Sequence, residues 1–253
     1  MSNANLSSLR PREISGKTIL ITGAGGGLGR CIVPALLAAG ARRVIAADRS
    51  AEHWNDTAVE PIVLDITHCG DVKDAATRFG DNVDILINNA GHNHNTRFLE
   101  VDDPDNALRE MEVNYFGTLN MIRAFSPAMR RRSHGVIVNM LTVGSNVCFP
   151  NMGSYCASKA ALHSMTQSVR AELGFYGIDV VGIYPPAVDT KMSLHVPPAH
   201  KMSPESVAAQ LVATLRSGDE EIYIGMAAEL YERARREPKA VENMLKGRVA
   251  PVN

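Results

Sequence analysis

Short runs rich in valine and isoleucine recur along the chain, separated by longer stretches with a helical apolar period. TILIT (18–22), RVIAAD (43–48), PIVLD (61–65), VDILINN (83–89), GVIVNM (135–140), DVVGIY (179–184) and EIYIG (221–225) predict seven strands. Nearly every residue in them is apolar, as in strands covered on both faces. Helical period falls at about 27–39, 72–79, 104–131, 154–174 and 204–216. In the long segment, Asp103 is the expected N-cap and Pro104 the first helical residue. Pro34 lies inside the first predicted helix, where a bend or a lost hydrogen bond is expected. Alternation of strand and helix predicts an α/β fold, a parallel sheet wrapped on both faces.

No linker, repeat or composition break divides the 253 residues, so one domain is expected. A flexible segment, 1–13, is expected before the domain at 14–225. A helical extension, 226–253, follows it, with Pro238 separating two helices, packed on the same domain or on a neighbouring subunit. Apolar residues form 45% of the chain, enough for a sizeable core. Twenty-six basic against 27 acidic residues leave a net charge of -1, which points to no nucleic-acid or anionic-membrane partner. The cluster Arg130-Arg131-Arg132 reads as cations at a helix C-terminus. Four cysteines without C-x-x-C spacing read as free thiols of a reducing compartment. The longest apolar run, CIVPALLAAGA, is broken by proline and too short to span a bilayer. A soluble cytoplasmic protein is the expectation.

The turn TGAGGGLG (22–29) follows the first predicted strand and opens the first helix. Glycines let backbone approach a diphosphate, and the helix N-terminus supplies unpaired N–H groups. The second strand ends at Asp48, about 20 residues further on, where a carboxylate would grip a ribose 2′-hydroxyl. That carboxylate repels a 2′-phosphate and favours NAD over NADP, although the neighbouring Arg49 would suit the phosphate.

Tyr155 and Lys159 stand four residues apart in SYCASKAAL, on one helix face. Such a pair is commonplace at protein surfaces, and its meaning depends on its surroundings. Thr142 follows the strand GVIVNM, at the strand end where ligands of parallel sheets bind, and Asn114 interrupts an apolar helix. Together these features resemble the short-chain dehydrogenase/reductase family over about residues 14–225. The glycine pattern is Thr22-Gly23-Ala24-Gly25-Gly26-Gly27-Leu28-Gly29, the N-N-A-G segment Asn88-Asn89-Ala90-Gly91, and the D-x pair Asp65-Ile66. Two positions depart from the pattern. Thr142 replaces the usual serine, with Ser145 a possible substitute donor, and Pro185-Pro186 replaces proline-glycine.

The resemblance implies a single Rossmann-type, doubly wound domain and hydride transfer between NAD (NADP less favoured) and a secondary alcohol or ketone. A free phenol titrates near pH ~10 and is a weak base at neutrality. A close ammonium and a positive nicotinamide ring would lower it. Tyr155 is thus the expected acid/base, Lys159 its electrostatic partner, Thr142 the substrate-oxygen donor, and Asn114 the holder of a relay water. Gly23, Gly27, Leu28, Gly29, Asp48, Arg49, Asp65, Ile66, Asn89, Ala90, Gly91, Pro185, Val188 and Thr190 would hold the dinucleotide, with Tyr155 and Lys159. His94, Cys148, Met152, Pro186 and Met192 are expected at the substrate, beside Phe149 and Tyr184, and residues 190–203 are expected to close the site. His92 and His94 have H-x-H spacing but no third ligand, so no metal is expected. Family members commonly form homodimers or homotetramers through the 104–131 and 154–174 helices.

Overall fold

The computed structural model of the protein describes residues 11–50, 53–99 and 103–247. Its sheet comprises β1 (Thr18–Thr22), β2 (Arg43–Asp48), β3 (Val59–Val63), β4 (Ile85–Asn88), β5 (Gly135–Met140), β6 (Ile178–Tyr184) and β7 (Glu221–Tyr223). All pairings are parallel, in the order β3-β2-β1-β4-β5-β6-β7. The winding reverses between β1 and β4, so the chain leaves their carboxyl ends in opposite directions and opens a crevice there.

Successive strand residues face opposite sides, and two cores result. Ile19, Ile21, Val44, Ile85 and Val138 pack one face against α1 (Gly29–Ala38) and α6 (Pro204–Ser217). Leu20, Ile45, Leu86, Ile137 and Val180 pack the other against α2 (Cys69–Phe79), α4 (Thr118–Arg132) and α5 (Gly153–Gly174). This two-sided burial is why the strands read as continuous apolar runs.

Several expected boundaries move. β3 begins two residues early and ends at Val63; the Leu64 N–H still donates to the Asp48 carbonyl at 2.8 Å, and with Asp65 it lines the crevice wall. Pro61 is tolerated because β3 is an edge strand. The long 104–131 helix is three consecutive pieces: α3 (Asn106–Met111), a π-helical turn (Glu112–Gly117) and α4. Asp103 is not its N-cap. Its Oδ1 accepts the Asp105 N–H at 3.0 Å in a turn that includes Pro104, and the helix starts at Asn106. Helix α1 runs unbroken through Pro34, whose missing N–H costs one bond on the exposed side.

Of the segment expected to be flexible, residues 1–10 lie outside the described residues. Arg12 is tied down, its guanidinium donating to Asp179 and to the Asp219 carbonyl, both at 2.8 Å. The tail forms α7 (Met226–Arg236) and α8 (Pro238–Lys246), which pack Ala227, Val241 and Leu245 against Val143 and Val147 of the same domain. Residues 248–253 of the expected extension lie outside the described residues. No helix among the described residues is long and apolar enough to cross a membrane.

Candidate active site

The crevice at the β1/β4 switch has a volume of about 1490 Å³. All residues expected to hold a dinucleotide line it, together with Thr142, Met152, Pro186 and Met192. One end is a backbone cradle. Gly23 has φ +64°, and a Cβ on Gly29 would lie 2.2 Å from the Gly23 carbonyl oxygen. No residue but glycine fits at Gly29, and the turn thereby brings the N-terminus of α1 to the crevice. The loop after β4 braces this turn. Asn89 Nδ2 donates to the carbonyls of Thr22 and Gly23 at 3.0 Å each, and Thr22 Oγ1 accepts the N–H groups of Asn89 and Ala90 at 3.1 Å. A glycine cradle at a helix N-terminus, with a carboxylate at the next strand end, fits a nicotinamide dinucleotide. The Asp48 carboxylate is oriented by the Gly25 N–H at 2.9 Å and the Arg49 N–H at 2.7 Å, and Arg49 lines the same wall.

Tyr155 and Lys159 project from the first turns of α5. That helix is fixed to the sheet by a buried chain in which Asn88 donates to Asn139 and Asn139 to Thr166, each at 2.9 Å. Lys159 is buried and its Nζ donates to the Met140 carbonyl at 2.9 Å. Burial pulls its ammonium down to about 8, so it stays mainly charged at neutral pH. The Nζ lies 5.9 Å from the centre of the Tyr155 ring. Burial, reinforced by Cys156 and Glu110, holds the phenol above its ordinary value. In the absence of a nicotinamide ring the phenol stays protonated at neutral pH; the expected lowering combines the Lys159 ammonium with the positive ring charge.

Thr142 Oγ1 accepts the Gly144 N–H at 3.3 Å and points toward the Pro185 carbonyl at 3.5 Å. Ser145 is no substitute donor; it is buried and its Oγ accepts the Thr142 N–H. Asn114 is fully buried within the π turn, and its amide is already committed. Oδ1 accepts the His92 N–H at 2.8 Å, while Nδ2 donates to the His92 carbonyl and to Ser158 at 2.9 and 2.8 Å. Both donor hydrogens are used, and the side chain clamps the loop after Gly91.

Three expected substrate contacts lie elsewhere. His94 is turned behind His92, Cys148 is exposed off the crevice, and Tyr184 is buried in the core with its hydroxyl 2.6 Å from His163 Nδ1. The crevice wall instead includes His92, Asn93, Glu112 and, from the tail, Met226, Leu230, Arg233 and Met244. The amphipathic period of 226–246 signalled a packed face; nothing in it signalled which surface that face would meet. Residues 190–203 do border the site. Thr190 leans on Gly27, where a Cβ would lie 2.7 Å from its methyl, and Asn95 Nδ2 donates to the Met192 carbonyl at 3.1 Å.

This constellation has counterparts among known proteins. The family model for short chain dehydrogenases matches residues 17–200. An Anopheles gambiae dehydrogenase/reductase SDR family protein 7-like is 32% identical over 201 residues, covering 73% of this chain and 63% of its own length. The chain thus spans less than two thirds of that curated relative. A Burkholderia cenocepacia short chain dehydrogenase, solved in complex with NADP, is 41% identical, with TM-score 0.88 over 94% of this chain and 100% of its own. A gluconate 5-dehydrogenase from the same organism, solved with NADP and tartrate, is 26% identical, with TM-score 0.75 over 84% and 96% of the two chains. The chain belongs to the short-chain dehydrogenase/reductase family.

Proposed function

We propose that the protein interconverts a secondary alcohol and a ketone with a nicotinamide dinucleotide, Tyr155 moving the proton. The observation that carries this reading is the half-buried Tyr155 and the buried Lys159 opening onto the same crevice as the glycine cradle. When bound, the dinucleotide supplies or accepts the hydride and, oxidised, adds a positive ring charge. In ketone reduction the protonated Tyr155 hydroxyl donates to the carbonyl oxygen, and Thr142 Oγ1 fixes that oxygen in place. In alcohol oxidation the phenolate takes the hydroxyl proton, with the Lys159 ammonium favouring the anion. Asn114 keeps the loop at Gly91 in position: a Cβ there would lie 3.5 Å from Lys159 Nζ and 3.3 Å from Asn114 Oδ1. Val143, Phe149, Met192, Leu230 and Met244 give the outer wall apolar surface, which supports an uncharged substrate, although Glu229 and Arg233 stand in the same wall.

Asp48 supports NAD as the cofactor. NADP is a second reading, supported by Arg30 and Arg49 in the crevice wall and by the NADP complex of the 41%-identical relative. The half-exposed Leu108 and Phe116, on the α3–α4 segment, support association into a homodimer or homotetramer.

The test supplies the purified protein with NAD or NADP and a panel of secondary alcohols, following reduced nicotinamide by absorbance. Tyr155→Phe is expected to lower turnover about 10²–10⁴-fold while dinucleotide affinity is retained. Equal rates in the variant would exclude this chemistry.

A further inference from the structure

Immediately beyond the clamp at Asn114, the Nε2 atoms of His92 and His94 lie 2.8 Å apart, their rings nearly perpendicular at 88°. Only one proton fits between two such nitrogens. One ring therefore donates from Nε2 and keeps a free lone pair on Nδ1, while the other accepts and carries its proton on Nδ1. With Nε2 committed, Nδ1 is the nitrogen that His92, the crevice-lining member, has left to offer.

Behind the pair lies Glu110 of α3, fully buried. Its Oε1 accepts the His94 main-chain N–H at 2.7 Å, and its Oε2 is buried with no hydrogen-bond partner. An ionised carboxylate so placed is costly unless positive charge stands beside it. A second proton on the histidine pair supplies that charge. Other groups act on His92 as well. Burial and His94 pull its imidazole down, Glu110 pulls it up, and Arg49 and Arg109 press it down again. Across from Glu110, the first turn of α5 presents Tyr155 and Cys156, both of which feel its field.

We propose that His92, His94 and Glu110 form a second proton relay of the crevice, an inference that rests on the dehydrogenase reading. A proton from the crevice bonds to His92 Nδ1 while the Nε2–H of His92 passes to His94 Nε2. Only N–H bonds form and break, and no electrons are exchanged. The charge comes to rest on the histidine pair, beside the buried Glu110, which holds the His94 main-chain N–H and pulls His92 up. Reversal returns the proton. The relay takes up the proton released in alcohol oxidation and supplies it in ketone reduction. His92 meets the crevice; His94 and Glu110 are positioning residues acting through it.

The test measures kcat against pH for alcohol oxidation in wild type, His94→Asn and Glu110→Gln, with dinucleotide affinity and Tm alongside. Oxidation needs the pair uncharged, so kcat falls as pH drops through its titration. Glu110→Gln keeps a bond to the His94 N–H but removes the charge that favours protonation. Its acid limb is expected to move down by about one pH unit. His94→Asn is expected to lose that limb and about tenfold in kcat, with partial recovery on adding imidazole. Wild-type profiles in both variants, with only Tm lowered, would overturn the relay. Nitrogen-15 NMR of labelled histidines tests it without turnover: the two rings should titrate together and shift in Glu110→Gln, and independent titration overturns it. No turnover in wild type with a coupled NMR titration would instead count against the dehydrogenase reading.

Discussion

Backbone holds one side of the crevice and side chains hold the other. On the dinucleotide side, Gly23, Gly27 and Gly29 leave no space for a Cβ, and Asn89 pins the turn through main-chain carbonyls. On the side proposed for the substrate, Leu230 and Met244 of the tail pack with Val143, Val147 and Phe149, segments almost a hundred residues apart. The first side is a fixed shape that any added atom spoils. The second is a packed apolar wall whose members can change volume and so change what fits. A cofactor shared across a family suits the former, and substrates that differ between members suit the latter.

The sharpest way to break this division is to empty the substrate wall. Leu245 is buried in the small cluster beneath α7 and α8 and borders the crevice. Leu245→Ala is expected to cost about 3 kcal/mol of stability and to raise KM selectively for bulky ketones. Dinucleotide affinity, measured by calorimetry, should stay at the wild-type value. A parallel loss of dinucleotide binding would show that the two sides are not independent.

The reciprocal change is Gly29→Ala. Its Cβ would lie 2.2 Å from the Gly23 carbonyl oxygen and 2.7 Å from that of Ala24, so the turn must shift. Overpacking of this kind costs about 1–3 kcal/mol, read as roughly a ten- to hundredfold loss of dinucleotide affinity. The ranking of substrates by size should be unchanged.

The same division governs what could be read from residue order. The bounds of β1, β2 and β5 coincide with their apolar runs because two-sided burial writes itself into consecutive residues. The glycine turn was legible because its constraint is local. The π turn at 112–117 was not, since the apolar period passes through it with one residue of drift. Its consequence, Asn114 turned onto the His92 backbone, joins residues 22 apart. Glu110 was equally hidden: a carboxylate in a helical stretch reads as solvated until the loop at 92–97 is seen to cover it. Cys148 and His94 stood near the chemistry in sequence, yet local turns carried both away from the crevice.

The smallest effect probes where the two sides meet the choice of cofactor. Asp48 holds the Gly25 and Arg49 N–H groups and so shapes the turn; on the proposed NAD reading its charge would also repel a 2′-phosphate. Asp48→Ala removes the repulsion and leaves Arg49 and Arg30 in the crevice wall. If NAD is the native cofactor, the ratio of kcat/KM for NADP over NAD should rise about tenfold, or roughly 1.4 kcal/mol. Loss of the Gly25 bond would weaken both cofactors alike, so the ratio, not either constant alone, isolates the charge. Glycine-turn damage moves the two affinities together, whereas charge at the strand end moves them apart. An unchanged ratio would mean that Arg30 and Arg49 already neutralise the carboxylate, and the NADP reading would then prevail.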